Sequence, residues 1–170
     1  MDPKSGPEKN TRIDPGVLNH MGVTCPFFRL GRGVRSMNRL YESHMSQTGL
    51  RPTQVMMMFA IAATSGASIG ELANVLFLDP TTLNRNLKPL VSAGYVEVTP
   101  GADRRRKEVW ITGEGNELVH RLVPLWEAAQ REIESKLGPG WTGQLTRVLT
   151  PLELVGGWDI SKIEEVETAT

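Results

Sequence analysis

The sequence predicts a mainly α-helical fold with one small β-hairpin, and three observations predict it. Apolar residues recur at steps of three and four through several segments, the period of helices with one buried face. Ser68, Asp79 and Thr112 each stand just before such a segment, where a helix needs a capping side chain. Only residues 95–99 and 108–112 alternate polar with apolar side chains, and a charged turn joins them.

Composition narrows the class further. A chain of 170 residues, 39% of them hydrophobic, is long enough for one apolar core. The charges balance, 19 basic against 19 acidic, but a polyanion responds to the local field and not to the total. Residues 80–110 hold Arg85, Lys88, Arg104, Arg105, Arg106 and Lys107 against Glu97, Asp103 and Glu108, while residues 151–170 are acidic. Cys25 is the single cysteine, which excludes an internal disulfide and fits a reducing compartment. No apolar run reaches membrane-spanning length, and none follows the N-terminal charges as a secretory signal requires. The expectation is a cytoplasmic protein without a membrane partner.

The elements follow in order. Residues 1–24, rich in Gly, Pro, Asn and charge, show no sustained period and read as a flexible arm that can order at its end. From Pro26, the residues Phe27, Leu30, Val34, Met37 and Tyr41 form an apolar stripe, with Arg29, Arg32, Arg35 and Arg39 between them. This amphipathic helix runs to about Gly49, and Gly31 and Gly33 each weaken it by about 1 kcal/mol. Pro52 opens a helix whose stretch from Val55 to Ala63 is almost continuously apolar, hence central and buried. Ser68 with Glu71 three residues on is a capping-box pattern, opening a short helix with Ile69, Leu72, Ala73 and Leu76 inward. After a turn at Phe77 and Leu78, Asp79 and Pro80 open the next, with Leu83, Leu87, Leu90 and Val91 inward and Gly94 at its end.

Two short capped helices around a tight turn make a helix-turn-helix, and the hairpin that follows stands where a wing would. Thr112 then starts a long helix with Leu118, Leu122, Leu125, Ala129, Ile133 and Leu137 on one face, which Pro124 is expected to bend. Gly138, Pro139 and Gly140 break it. Trp141 to Val155 form a last helix with Leu145, Leu149 and Leu152 as its stripe, interrupted by Pro151.

The chemistry of the middle segment points to double-stranded DNA. A helix entering a major groove needs short polar side chains and a few long donors, since arginine can bond guanine twice. The outer face after Asp79 offers Pro80, Thr81, Thr82, Asn84, Arg85, Asn86 and Lys88. Asp103, Arg104, Arg105, Arg106 and Lys107 form a hairpin tip that can reach phosphates or the minor groove. Ser68 completes the expected contact set. A basic turn alone is commonly just a solvated loop; the contiguous order of helix, turn, capped helix, hairpin and basic tip carries the reading.

These motifs resemble the multiple-antibiotic-resistance regulator (MarR) family of winged helix-turn-helix regulators. The resemblance covers residue 26 to about residue 155. It rests on Leu50-Arg51-Pro52-Thr53-Gln54, Ile69-Gly70-Glu71-Leu72-Ala73, Leu78-Asp79-Pro80-Thr81-Thr82-Leu83-Asn84-Arg85 and Leu90-Val91-Ser92-Ala93-Gly94-Tyr95-Val96. It continues in Asp103-Arg104-Arg105 leading to Val109-Trp110-Ile111-Thr112-Gly113-Glu114-Gly115. It implies an intertwined homodimer on palindromic DNA, with Arg105 entering the minor groove and Asp103 orienting it. The implied division is an arm over 1–24, a dimerisation helix over 25–50, a DNA-binding lobe over 51–113, dimerisation helices over 114–157 and an acidic tail over 158–170. It also implies control by a small aromatic or anionic effector, with Arg29, Arg32 and Arg35 as candidate partners.

The resemblance extends to organic-hydroperoxide-resistance regulators through Cys25, at the start of the first predicted helix, with Tyr41 in the place of a partnering tyrosine. The spacing is longer than in that branch, and Pro52 stands where a second tyrosine belongs. Cys25 is therefore either a redox switch or a small space-filling residue. His20, His44 and His120 are scattered, no zinc spacing occurs, and no nucleophile is grouped with a base, so no metal, cofactor or enzymatic activity is expected. The competing reading is a winged-helix adaptor that binds another protein, which would not shift a DNA fragment.

Overall fold

The computed structural model describes residues 13–64, 66–101 and 106–155. The chain divides into two compact units, Met1–Arg39 and Leu40–Thr170.

In the first unit, Pro15–Thr24 form helix α1. The end of the arm expected over 1–24 is thus helical: Asp14 caps the helix by accepting the Gly16 N–H at 2.7 Å, and Pro15 takes the first helical position. The helix lacks amphipathic periodicity and buries no residue, so its cap was its only sequence signal. Residues 1–12 of that arm lie outside the described residues. Helix α2, Pro26–Met45, is strongly amphipathic as expected, and its apolar stripe at Phe27, Leu30 and Val34 is solvent-exposed, Phe27 at 82%.

The second unit holds the core. After α2 comes one 3-10 turn, Ser46–Thr48, closed by Gly49 in the left-handed region. Helix α3, Pro52–Thr64, follows and buries Val55, Met57, Met58 and Ile61 completely or nearly so. It is central as its unbroken apolar run requires, packing on α4 (Ile69–Val75), α5 (Pro80–Ser92), α6 (Gly113–Leu137) and the hairpin. Leu72, Leu83, Leu90 and Leu122 close around it, each fully buried.

Strands β1, Val96–Pro100, and β2, Lys107–Ile111, pair antiparallel with Val96 opposite Ile111 and Val98 opposite Val109. Alternation puts Val96 and Val109 into the core. A further pairing has no counterpart in the residue pattern: Ser68 bridges Glu108, and the Val109 N–H donates to the Ala67 carbonyl at 2.9 Å. The segment before α4 therefore lies along the hairpin, joined to β2 by an isolated bridge.

Helix α6 is continuous through Pro124, where a bend was expected, and α7, Trp141–Val155, contains Pro151, where an interruption of the stripe was expected. Two residues placed on inner faces by periodicity are exposed in this single chain, Val91 at 40% and Leu137 at 61%. Among the described residues, no helix is long and apolar enough to cross a membrane.

Candidate nucleic-acid interface

The geometry of α4, its turn and α5 is set by side chains that satisfy the helix ends. The Ser68 hydroxyl accepts the Glu71 N–H at 3.2 Å, and the Glu71 carboxylate accepts the Ser68 N–H at 2.7 Å, a complete capping box. Hydrogen bonds from the Ser68 hydroxyl and amide, aided by the charge of Arg106, hold the Glu71 carboxyl below its ordinary pKa. Ser68 is itself buried, with its hydroxyl and its amide both engaged in the cap.

The turn closes with Phe77 at φ +50, a left-handed conformation uncommon for a bulky side chain, as the Leu78 N–H reaches back to the Ala73 carbonyl at 2.9 Å. Asp79 then caps α5 by accepting the Thr82 N–H at 2.9 Å, and its bonds with Thr82 lower its pKa. At the far end Gly94, φ +77, reverses the chain. Its N–H bonds the Val91 carbonyl at 3.0 Å, and that of Tyr95 bonds Leu90 at 3.1 Å, feeding the backbone directly into β1.

On α5, Thr82 is half-buried, and five other predicted contact residues separate into two groups. Asn84 donates to the Pro80 carbonyl at 2.8 Å and half-buried Asn86 to the Thr82 carbonyl at 3.1 Å, so both amides brace the helix. Thr81, Arg85 and Lys88 are exposed, and their side chains make no hydrogen bond or ion pair with other described residues. They form the outward face, opposite buried Leu83, Leu87 and Leu90.

The hairpin closes where the Gly101 N–H donates to the Arg106 carbonyl at 2.8 Å, and Arg106 and Lys107 are exposed at its end. The expected tip residues Asp103, Arg104 and Arg105 lie outside the described residues. At the hairpin's other end, the Thr112 hydroxyl donates to the Gly94 carbonyl at 2.7 Å and accepts the Gly115 N–H at 3.0 Å. One side chain thus ties the end of α5 to the start of α6.

The candidate sensing residues lie in both units. In the first, Cys25 is half-buried between α1 and α2; its N–H bonds the Met21 carbonyl at 3.0 Å and its carbonyl accepts the Arg29 N–H at 3.2 Å. Cys25 stands where the carboxyl end of α1 meets the amino end of α2. Arg29 reaches the Val23 carbonyl at 3.3 Å, and Arg32 and Arg35 are exposed. In the second unit the Tyr41 hydroxyl accepts from Gln130 at 3.0 Å, and burial raises its pKa against that bond. His44 bonds Glu132 at 2.7 Å, and Lys136 pairs with the same carboxylate. Sequence reasoning missed both links because each joins residues far apart in the chain. Among the described residues no cluster could hold a metal ion.

Comparison with known proteins agrees with this geometry. The MarR family model matches residues 48–107, from the turn before α3 to the start of β2. The fold is similar to that of the transcriptional regulator MosR of M. tuberculosis in complex with DNA, with a TM-score of 0.71 and 28% identity, over 78% of this chain and 96% of that one. It is also similar to mutant E. coli MarR complexed with operator DNA, with a TM-score of 0.70 and 25% identity, over 78% of this chain and 96% of that one. Among curated protein sequences none is significantly similar.

Proposed function

We propose that this chain is a MarR-family winged helix-turn-helix protein, a sequence-specific transcription repressor that binds palindromic duplex DNA as a homodimer. The observation that carries this reading is the outward face of α5. Thr81, Arg85 and Lys88 stand exposed and uncommitted among the described residues, on a helix closed at both ends by its own caps. Such a helix inserts as a rigid body, with Arg85 long enough for a base edge and Lys88 placed for phosphate. Arg106 and Lys107 extend the positive surface at the adjoining hairpin. Asp103, Arg104 and Arg105 complete the proposed contact set, Arg105 entering the minor groove.

Dimerisation is supported by the exposed apolar side chains at both ends of the chain. Phe27, Leu30 and Val34 on α2, and Leu145, Val148 and Leu152 on α7, are all exposed in the single chain. A two-fold dimer presents α5 twice, which matches a palindromic site. Release from DNA is proposed to follow binding of a small aromatic anion near Arg29 and Arg32, or oxidation of Cys25.

A mobility-shift titration with the DNA upstream of the protein's own gene tests the reading. Nanomolar binding that random duplex does not compete is the expected result. Absence of binding to that fragment and to any duplex enriched from a random pool would leave the adaptor reading in its place.

A further inference from the structure

Gly66 lies in the linker between α3 and α4 at φ +93, a conformation natural only to glycine. A Cβ built on it would stand 2.3 Å from Cζ2, 2.5 Å from Cη2 and 2.7 Å from Cε2 of Trp110. The indole of Trp110 therefore rests directly on the Gly66 backbone. Trp110 is on the outward face of β2, beside fully buried Val109, and remains 41% exposed. It adds little to the core. What it covers is a segment that links the hairpin to α4: Ala67 accepts the Val109 N–H, Ser68 bridges Glu108, and Ser68 then caps α4.

We propose that Trp110 is a positioning residue for DNA binding, seated on Gly66 so that the hairpin keeps a fixed angle to α4 and α5. A two-stranded hairpin has no stiffness of its own and is at best marginal in water. Over a strand of about 17 Å, a tilt of about ten degrees at the base moves the far end by about 3 Å, enough to lose a hydrogen bond. Held down by the indole, Arg106 and Lys107 meet the phosphate backbone while α5 occupies the groove. Without it, the hairpin swings and the phosphate contacts are shared among several poses. This inference rests on the DNA-binding reading above.

The test uses the full chain as wild type, Trp110→Ala, Trp110→Phe and Gly66→Ala. Binding to a duplex enriched from a random pool, and to a random duplex, is followed by fluorescence anisotropy across a salt series. Trp110→Ala and Gly66→Ala are each expected to lose about tenfold in affinity, with the salt slope falling by about 1–2. Trp110→Phe, which keeps a ring over the glycine, should retain most of both. Amide exchange separates positioning from general loosening: the Val109 amide should lose protection in Trp110→Ala while the Leu87 and Leu90 amides keep theirs. Wild-type affinity and slope in Trp110→Ala would overturn the inference. So would an affinity loss at unchanged slope with α5 amides equally exposed. If Trp110→Ala does not fold, Gly66→Ala decides by the same criteria. Failure of the wild type to bind either duplex would refute the DNA-binding reading itself, an outcome distinct from a variant that binds like wild type.

Discussion

Gly115→Ala sets two effects against each other at the joint between hairpin and α6. Alanine near a helix start ordinarily stabilises by about 0.5–1 kcal/mol relative to glycine. Gly115 is buried, however, and a Cβ there would lie 2.0 Å from the Tyr95 carbonyl oxygen and 2.9 Å from Ile111 Cγ1. Backbone cannot yield as a flexible side chain does, so α6 must move away from β1. That movement strains the Thr112 N–H bond to Tyr95 at 3.1 Å and the Thr112 hydroxyl bond to Gly94 at 2.7 Å. Overpacking costs about 1–3 kcal/mol and each weakened bond about 1 kcal/mol. After the propensity gain, the net loss is about 2–4 kcal/mol, or about 5–15 °C in a chain of this size. Thermal unfolding by circular dichroism measures it. A Tm equal to or above wild type would refute the claim that tertiary contact, and not helix propensity, governs this position.

Arg85→Ala should narrow the gap between a selected duplex and a random one by about 1–3 kcal/mol, whereas Lys88→Ala should weaken both alike; competition binding on the two duplexes shows whether the roles are reversed. Ser68→Ala should cost about 1 kcal/mol of stability near neutral pH through loss of the cap. Because the folded Glu71 pKa lies below its ordinary value, that carboxylate's contribution is complete above the unfolded value and fades as pH falls through the folded one. Urea unfolding from neutral pH into the acid range should therefore show the two proteins converging, and a constant gap would remove Glu71 from the account. A stoichiometric organic hydroperoxide would oxidise a Cys25 thiolate to sulfenic acid with release of the alcohol. Release of wild type but not Cys25→Ser from DNA makes Cys25 the switch, and equal behaviour leaves effector control.

Local chemistry made most of the helical frame legible. Ser68 with Glu71, Asp79 with Pro80, and Thr112 mark helix starts because a cap is a contact within three residues. Leu83, Leu87 and Leu90 fall inward by helical period alone. Helix α1 escaped because Asp14 and Pro15 cap it without any amphipathic stripe. Long-range contacts left no pattern: the Ser68–Glu108 bridge, the Gln130–Tyr41 bond and the Trp110 seat on Gly66 each depend on how separate elements pack. On the candidate interface, sequence supplied the residue types on α5. Only structure shows Asn84 and Asn86 turned to their own helix and Ser68 buried, leaving Thr81, Arg85 and Lys88 outward.

The most direct test of the central claim is equilibrium binding of the full chain to a duplex enriched from a random pool, compared with a scrambled duplex at several salt concentrations. The account predicts an enriched site with two-fold symmetry, bound by two chains, at least about a thousandfold tighter than the scramble near physiological salt. Affinity should fall steeply as salt rises. Equal affinity for both duplexes, or no enriched sequence at all, would contradict it.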